Sequence, residues 1–128
     1  MSKHLEKAQA LRNEAVFPNC AQTILMAYSE ELGLNEMQAK NLGTNLGGGM
    51  KVGSTCGVVT SSLVVLGGLG INDPRIVAEF QNKIKNNHNG LINCADLLRE
   101  NAKQGLPKKT HCDKMIEEAI LLIEEYTK

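Results

Sequence analysis

The chain has no tryptophan, and only four of its 128 residues are Phe or Tyr. Its core must therefore consist mainly of aliphatic side chains, alanine and methionine. Excess charge of either sign is also missing, because 14 basic residues balance 14 acidic ones. A protein without a large field of one sign is not typical of those that bind nucleic acid or anionic lipid surfaces. We therefore expect no nucleic-acid partner.

A hydrophobic run long enough to cross a membrane is missing as well. The most apolar segment, residues 58–71, is interrupted by Thr, Ser and Gly and is shorter than the roughly 20 apolar residues that a membrane helix needs. The N-terminal segment is charged and amphipathic, without the apolar centre of a secretory signal. We expect a cytoplasmic protein with no membrane insertion and a single domain over residues 1–128.

Closely spaced cysteine pairs are absent, although the chain has four cysteines. Zinc fingers and thioredoxin-like sites both use such pairs, so the spacing argues against these two classes of site. In the reducing cytoplasm, cysteines are usually catalytic, redox-sensing or metal-binding rather than structural disulfides. The alternative is that the cysteines only pack, since free cysteine is among the most buried residue types.

Each cysteine lies where the sequence predicts the beginning of a helix. N-cap residue types precede all four: Asn19 before Cys20, Ser54 and Thr55 before Cys56, Asn93 before Cys94, and Thr110 before Cys112. The positive end of a helix stabilises a thiolate, which is the form that binds metal or attacks a disulfide. The pattern therefore predicts four thiolate ligands, and Cys56, which is flanked by glycines, is the candidate attacking thiol.

The periodicity of apolar residues predicts an all-α fold of six or seven short helices. Breaks occur at Phe17-Pro18, at Gly33 and in the glycine-rich segment that follows residue 46. The predicted helices cover residues 3–15, 20–32, 36–45, 56–68, 74–85, 94–102 and 111–126. The fourth of these is rich in valine and would also suit a strand. Because no other segment offers a partner strand, we favour a buried helix.

A glycine-rich loop, Gly47–Gly53, precedes Cys56. It does not match the phosphate-binding pattern GxxxxGK[ST], because a serine stands where that pattern needs a lysine. Its glycines could bring backbone N–H groups close to sulfur or to an anion, and a plain flexible connector is the alternative. Gly49, Gly53 and Gly57 are our candidates for contacts with a cofactor.

Four segments occur in an order that identifies a known family. They are Asn-Cys-Ala-Gln at 19–22, Gly-Ser-Thr-Cys-Gly-Val-Val-Thr-Ser at 53–61, Cys94 before Asp96-Leu97-Leu98, and Cys112 in a terminal amphipathic helix. The chain thus resembles the C-GCAxxG-C-C family of small redox-active proteins over about residues 16–126. Its CGAxxG signature is changed at two positions, with Val58 in place of Ala and Ser61 in place of Gly.

The resemblance implies a helical fold and a redox or metal-binding role for Cys20, Cys56, Cys94 and Cys112. A related helical domain in split-Soret cytochromes carries an iron–sulfur centre beside haem, but this chain has no CxxCH motif for covalent haem. We therefore expect the four cysteines to hold an iron–sulfur cluster, of the [2Fe–2S] type, or another metal centre. Such a centre would transfer electrons to or from a redox protein partner.

Two other functions stay open at this point. The protein could be a thiol/disulfide oxidoreductase or a redox sensor without metal, in which Cys56 attacks and a second cysteine resolves the mixed disulfide. It could also be a non-redox interaction module whose cysteines only pack. The apolar helix over residues 58–69, with its small Ser and Gly residues, could serve as a homodimer interface.

Overall fold

A computed structural model describes residues 2–127 and confirms the all-α prediction. This part of the chain forms seven α-helices: α1 (Lys3–Arg12), α2 (Cys20–Ala27), α3 (Glu36–Gly43), α4 (Gly57–Gly68), α5 (Pro74–Asn87), α6 (Cys94–Lys103) and α7 (Lys108–Tyr126). A five-residue turn with π-type hydrogen bonding, Gly49–Gly53, lies between α3 and α4. None of the described helices is both long enough and apolar enough to cross a membrane.

Two helices begin with the reciprocal hydrogen bonds of a capping box. Asn19 Oδ1 accepts the N–H of Gln22 at 2.8 Å, and Gln22 Oε1 accepts the N–H of Asn19 at 2.8 Å. Asn35 and Gln38 form the same pair at the start of α3. These contacts satisfy amides that a helix terminus otherwise leaves unpaired. They confirm the predicted starts of α2 and α3 and fix the first cysteine at a helix N-terminus.

The central helix is α4, which packs between α2 and α7. Its inward side chains are fully buried: Val58, Val59, Val65 and Leu66. This confirms the helix that the sequence favoured over a strand for the valine-rich segment. Val64 of α4 and Leu121 of α7 are exposed. Nothing in the described residues tests the homodimer interface expected on α4, and it stays a prediction.

The predicted boundaries of two helices are wrong in ways that matter for the site. α2 ends at Ala27 instead of residue 32, because the chain continues in turns to Gly33, where φ is +70°. α7 begins three residues earlier than predicted, because Pro107 rather than Thr110 occupies the N-cap position. A proline has no N–H to leave unpaired, so a helix can begin directly after it. The other boundaries differ by a few residues at most.

Candidate functional site

One cavity of about 390 Å³ is lined by all four cysteines. They come from the first turns of α2 and α6, the residue before α4 and the second turn of α7. Because Cys112 lies in this second turn, the prediction that every cysteine stands at a helix N-terminus is wrong for this residue. The cavity wall also includes apolar side chains of Phe17, Val58, Leu98 and Met115. Its volume is in the range of sites that bind small ligands.

A short backbone bridge holds Cys56 and Cys94 in neighbouring segments. Thr55 pairs with Asn93 in an isolated antiparallel bridge. The amide of each cysteine donates to a carbonyl of the other segment, at 2.9 Å for Cys56 and 2.7 Å for Cys94. The two cysteines are therefore diagonal neighbours across the bridge. The sequence analysis missed this contact, because a single bridge leaves no strand-like pattern of alternating residues.

The other two cysteines face each other across the interface of α2 with α7. The side chains of Cys20 and Cys112 are in hydrogen-bond contact, which lowers the pKa of Cys20. The amide of Ala21 acts in the same direction, and burial opposes both effects. The same contact, together with burial, raises the pKa of Cys112, so Cys20 is the more acidic thiol of this pair. No disulfide joins any of the cysteines in residues 2–127.

For Cys56 and Cys94, burial is the main influence on the pKa of the thiol. Burial raises the pKa of Cys56 to about 11, although the amides of Val58 and Val59 face its sulfur and oppose this effect. Burial also raises the pKa of Cys94. The direction of these shifts favours Cys20 over Cys56 as the reactive thiolate. The assignment of Cys56 as the attacking thiol stays a prediction.

The glycine-rich turn has a left-handed backbone at four consecutive residues, Gly48–Lys51. Their φ angles lie between +58° and +66°. For a residue with a Cβ this conformation costs roughly 1–2 kcal/mol, so Met50 and Lys51 are strained. The turn brings Gly48 to the cavity wall. It also places Gly49 so close to Cys94 that an added Cβ would lie 2.9 Å from the cysteine Cβ.

A close approach of α4 to α2 depends on the absence of a side chain at Gly57. A Cβ there would lie 2.7 Å from the carbonyl oxygen of Leu46 and 3.2 Å from the Sγ of Cys20. Gly57 therefore lets the segment that carries one cysteine pack directly against the sulfur of another. Packing of this kind accounts for Gly49, Gly53 and Gly57, and their predicted contacts with a cofactor stay predictions.

The wall of the cavity carries an aromatic ring with two cations near it. The guanidinium carbon of Arg12 lies 4.6 Å from the centroid of the Phe17 ring, and the Nζ of Lys109 lies 5.1 Å from it. Both cations donate to the carboxylate of Asp113, at 2.6 Å and 2.9 Å. Lys108 lines the same cavity. The sequence analysis did not find this group, whose main signals are the Phe before Pro18 and the paired lysines at the start of α7.

The donors do not suit a single metal ion with three or four protein ligands. In residues 2–127, no three side chains of His, Cys, Asp or Glu converge closely enough to hold one ion, as a structural zinc site requires. A [2Fe–2S] cluster has a different demand, because its four thiolates are divided between two irons. All four cysteines line one cavity, and thiolates are the ligands that such a cluster takes. The site therefore offers donors of the type and number that a two-iron cluster needs.

Comparison with protein-family models gives one match. The model described as "Putative redox-active protein (C_GCAxxG_C_C)" matches residues 18–126, a segment that contains all four cysteines. Comparison with curated proteins found no match, and comparison with solved structures found none. Since the matched segment covers most of the chain, the resemblance seen in the sequence is confirmed, and the protein belongs to the C-GCAxxG-C-C family of redox-active proteins.

Proposed function

We propose that this protein is a small cytoplasmic electron-transfer protein whose four cysteines hold a [2Fe–2S] cluster. The observation that carries the proposal is that all four cysteines line one cavity of about 390 Å³. A site for simple thiol exchange needs two cysteines, which would leave the other pair without a role. A bound cluster would use both pairs and would supply a carrier for one electron at a time.

The surroundings of the cavity support an anionic occupant. Four thiolates and their irons together carry net negative charge, which Arg12, Lys108 and Lys109 on the same wall would offset. Cys20 and Cys56 are buried, with 9% and 5% of their surface exposed, so water has little access to this side of the site. Charge, burial and hydrogen bonds to sulfur are the features that set the potential of such a centre.

Protons must leave the cysteines when metal binds, because the ligand is the thiolate. Burial raises the pKa of Cys56 and Cys94, and the contact with Cys20 raises that of Cys112. These three ligands are therefore thiols in the metal-free protein at neutral pH. We expect metal loading to release protons and to proceed faster at mildly alkaline pH than at neutral pH.

The proposal is tested by anaerobic reconstitution with ferrous iron and sulfide. We expect a coloured protein with two irons and two sulfides per chain, and near-complete loss of colour in each of four single Cys→Ser variants. The control is Met115→Leu, which changes the cavity wall while keeping its volume and all four ligands. A wild-type chain that stays colourless and free of iron after reconstitution would disprove the cluster.

A second candidate function is thiol/disulfide exchange by Cys20 and Cys112. The specific observation in its favour is the lowered pKa of Cys20 beside the thiol that stabilises it. The Cys20 thiolate would attack a partner disulfide, forming a mixed disulfide and releasing one partner thiolate. Cys112 would then lose its proton and attack the Cys20 sulfur, which releases the second partner thiolate. The protein would be oxidised by two electrons and the partner disulfide reduced to two thiols.

Mild oxidation of the metal-free protein, followed by peptide mass spectrometry, tests this candidate. We expect a disulfide between Cys20 and Cys112 before any between Cys56 and Cys94, which serve as the internal control pair. The candidate fails if no intramolecular disulfide forms and if Cys20 is alkylated at the rate of a thiol in an unstructured peptide.

A further inference from the structure

The mouth of the cysteine cavity has the features of a protein-docking surface. Phe17 lines the cavity and is 41% exposed, and its neighbour Val16 is 90% exposed. Arg12, Lys108 and Lys109 lie on the same wall. We call these five residues the basic mouth. An apolar centre bordered by charges is the usual composition of an interface between proteins that associate reversibly.

The charge of the basic mouth is local, because the whole chain is neutral. Its three cations are balanced by a single carboxylate, Asp113, which binds two of them. Within residues 2–127, the side chains that line the cavity include no Asp or Glu, and Lys108 has no carboxylate within 4.0 Å. A net positive charge is therefore concentrated at the entrance of the cavity and is not spread over the surface.

The Phe17 ring is held in place rather than left free to move. Arg12 is 5% exposed and donates to the carbonyl of Pro18 at 2.8 Å. Its guanidinium group and the ammonium group of Lys109 both contact the Phe17 ring. An exposed aromatic side chain that is already fixed loses little conformational entropy when a partner covers it. This arrangement is suited to contact with a second protein.

The mouth also lies on the accessible side of the cysteines. Cys94 and Cys112 are half-buried, whereas Cys20 and Cys56 are buried. Lys108 lines the cavity together with both half-buried cysteines. A partner seated on the mouth would therefore lie close to the more accessible cysteines of the site.

We propose that the basic mouth docks an acidic redox protein, which would present carboxylates to Lys108 and Lys109 and an apolar group to Val16 and Phe17. Complementary charge steers such encounters and fixes their orientation. The identity of the partner as an electron donor or acceptor rests on the proposed redox function. The docking itself depends only on charge and exposed apolar surface, so it can be tested without a cluster.

The test is an NMR titration of the reduced full-length chain with a short blocked peptide of glutamates around one phenylalanine. We expect saturable shifts of the amides of Val16, Phe17, Lys108 and Lys109 that weaken as salt is added. Lys108→Glu should weaken binding about tenfold. Val16→Ser should weaken it a few-fold while leaving the fold intact, because this side chain is almost fully exposed.

The matched control is Lys114→Glu, which makes the same charge change on the same helix, at a residue that is not part of the cavity wall. An equal loss of affinity in this variant would overturn the proposal, as would shifts that map elsewhere. Equal shifts with glutarate in place of the peptide would mean that the mouth binds small anions rather than a protein, which also overturns it. Peptide binding by a chain that also fails to take up iron and sulfide in the reconstitution would leave docking standing and remove the cluster proposal alone.

Discussion

The two cysteine pairs differ in what surrounds them, although they share one cavity. Cys20 and Cys56 are both buried at the start of a helix, yet the pKa of Cys20 is lowered and that of Cys56 is raised to about 11. The largest cause for Cys20 is the thiol of Cys112, whereas the largest cause for Cys56 is burial itself.

This difference shows that a position at a helix N-terminus is not sufficient to lower the pKa of a buried thiol in this protein. The amides of Val58 and Val59 face the Cys56 sulfur without completing a capping hydrogen bond, and they do not offset the loss of hydration. At Cys20, the hydrogen bond with the Cys112 side chain does offset the loss of hydration. Desolvation and a hydrogen bond to the charged form act in opposite directions, and the specific donor decides the sign.

Cys112→Ala should have the largest effect on the difference in pKa between Cys20 and Cys56, because it removes the side chain that forms the hydrogen bond with Cys20. We expect the pKa of Cys20 to rise, so that its alkylation by iodoacetamide requires a higher pH, as measured by peptide mass spectrometry. Cys94→Ala is the control, because it removes another cysteine of the cavity, leaves the contact between Cys20 and Cys112 in place and should not raise the pKa of Cys20. If both variants moved the midpoint in the same direction, the contact with Cys112 would not be the cause.

The two pairs come close at Gly57, which follows Cys56 and whose added Cβ would lie 3.2 Å from the Sγ of Cys20. Gly57→Ala should destabilise the protein by about 3 kcal/mol, because its Cβ would lie 2.7 Å from a backbone carbonyl that cannot easily move. Gly67→Ala in the same helix meets nothing within 4 Å and should stabilise the protein by about 0.5–1 kcal/mol through helix propensity. Urea unfolding of both variants measures the contrast, and equal effects would contradict the packing argument.

The dependence of stability on pH should show the raised pKa of Cys56. Cys56 has a folded pKa of about 11 against an ordinary value of 9.0, so above pH 9 the unfolded state loses the proton while the folded state keeps it. The stability that this thiol contributes is complete below pH 9 and is lost as the pH rises toward about 11. By about pH 10.5 the loss should reach about 2 kcal/mol.

Cys56→Ser provides the measurement for this pH effect, since serine is a good N-cap residue and does not titrate in this range. Urea unfolding of the metal-free variant at pH 8 and pH 10.5 should show a smaller fall in stability than the wild type shows. A variant with the same fall as the wild type would mean that Cys56 does not carry the effect.

The sequence was a good guide to features that depend on neighbouring residues. The correctly predicted starts of α2 and α3 depend on caps whose partners lie three residues away, and the helical state of residues 57–68 followed from length and from the lack of a partner strand. The family was identified correctly from the order of short motifs around the cysteines.

The parts that could not be predicted depend on contacts between distant segments. The pairing of Cys20 with Cys112 joins the two ends of the chain, and the bridge between Thr55 and Asn93 involves one residue from each segment. Neither leaves a periodic pattern. The predicted start of α7 was wrong because Thr110 is a preferred capping residue by type, whereas Pro107 occupies the N-cap position in the structure.

The smallest predicted effect concerns the turn that brings Gly48 to the cavity beside Cys94. Met50 has a φ of +58°, so Met50→Gly should relieve strain and raise stability by about 1 kcal/mol, less the added entropy of the unfolded chain. The control is Val52→Gly, because Val52 has a φ of −128° in the same turn and gains nothing from glycine. We expect this control to lower stability slightly in urea unfolding. A loss of stability in Met50→Gly would mean that the packing of this methionine outweighs the strain, and that the turn depends on its side chain as well as on its glycines.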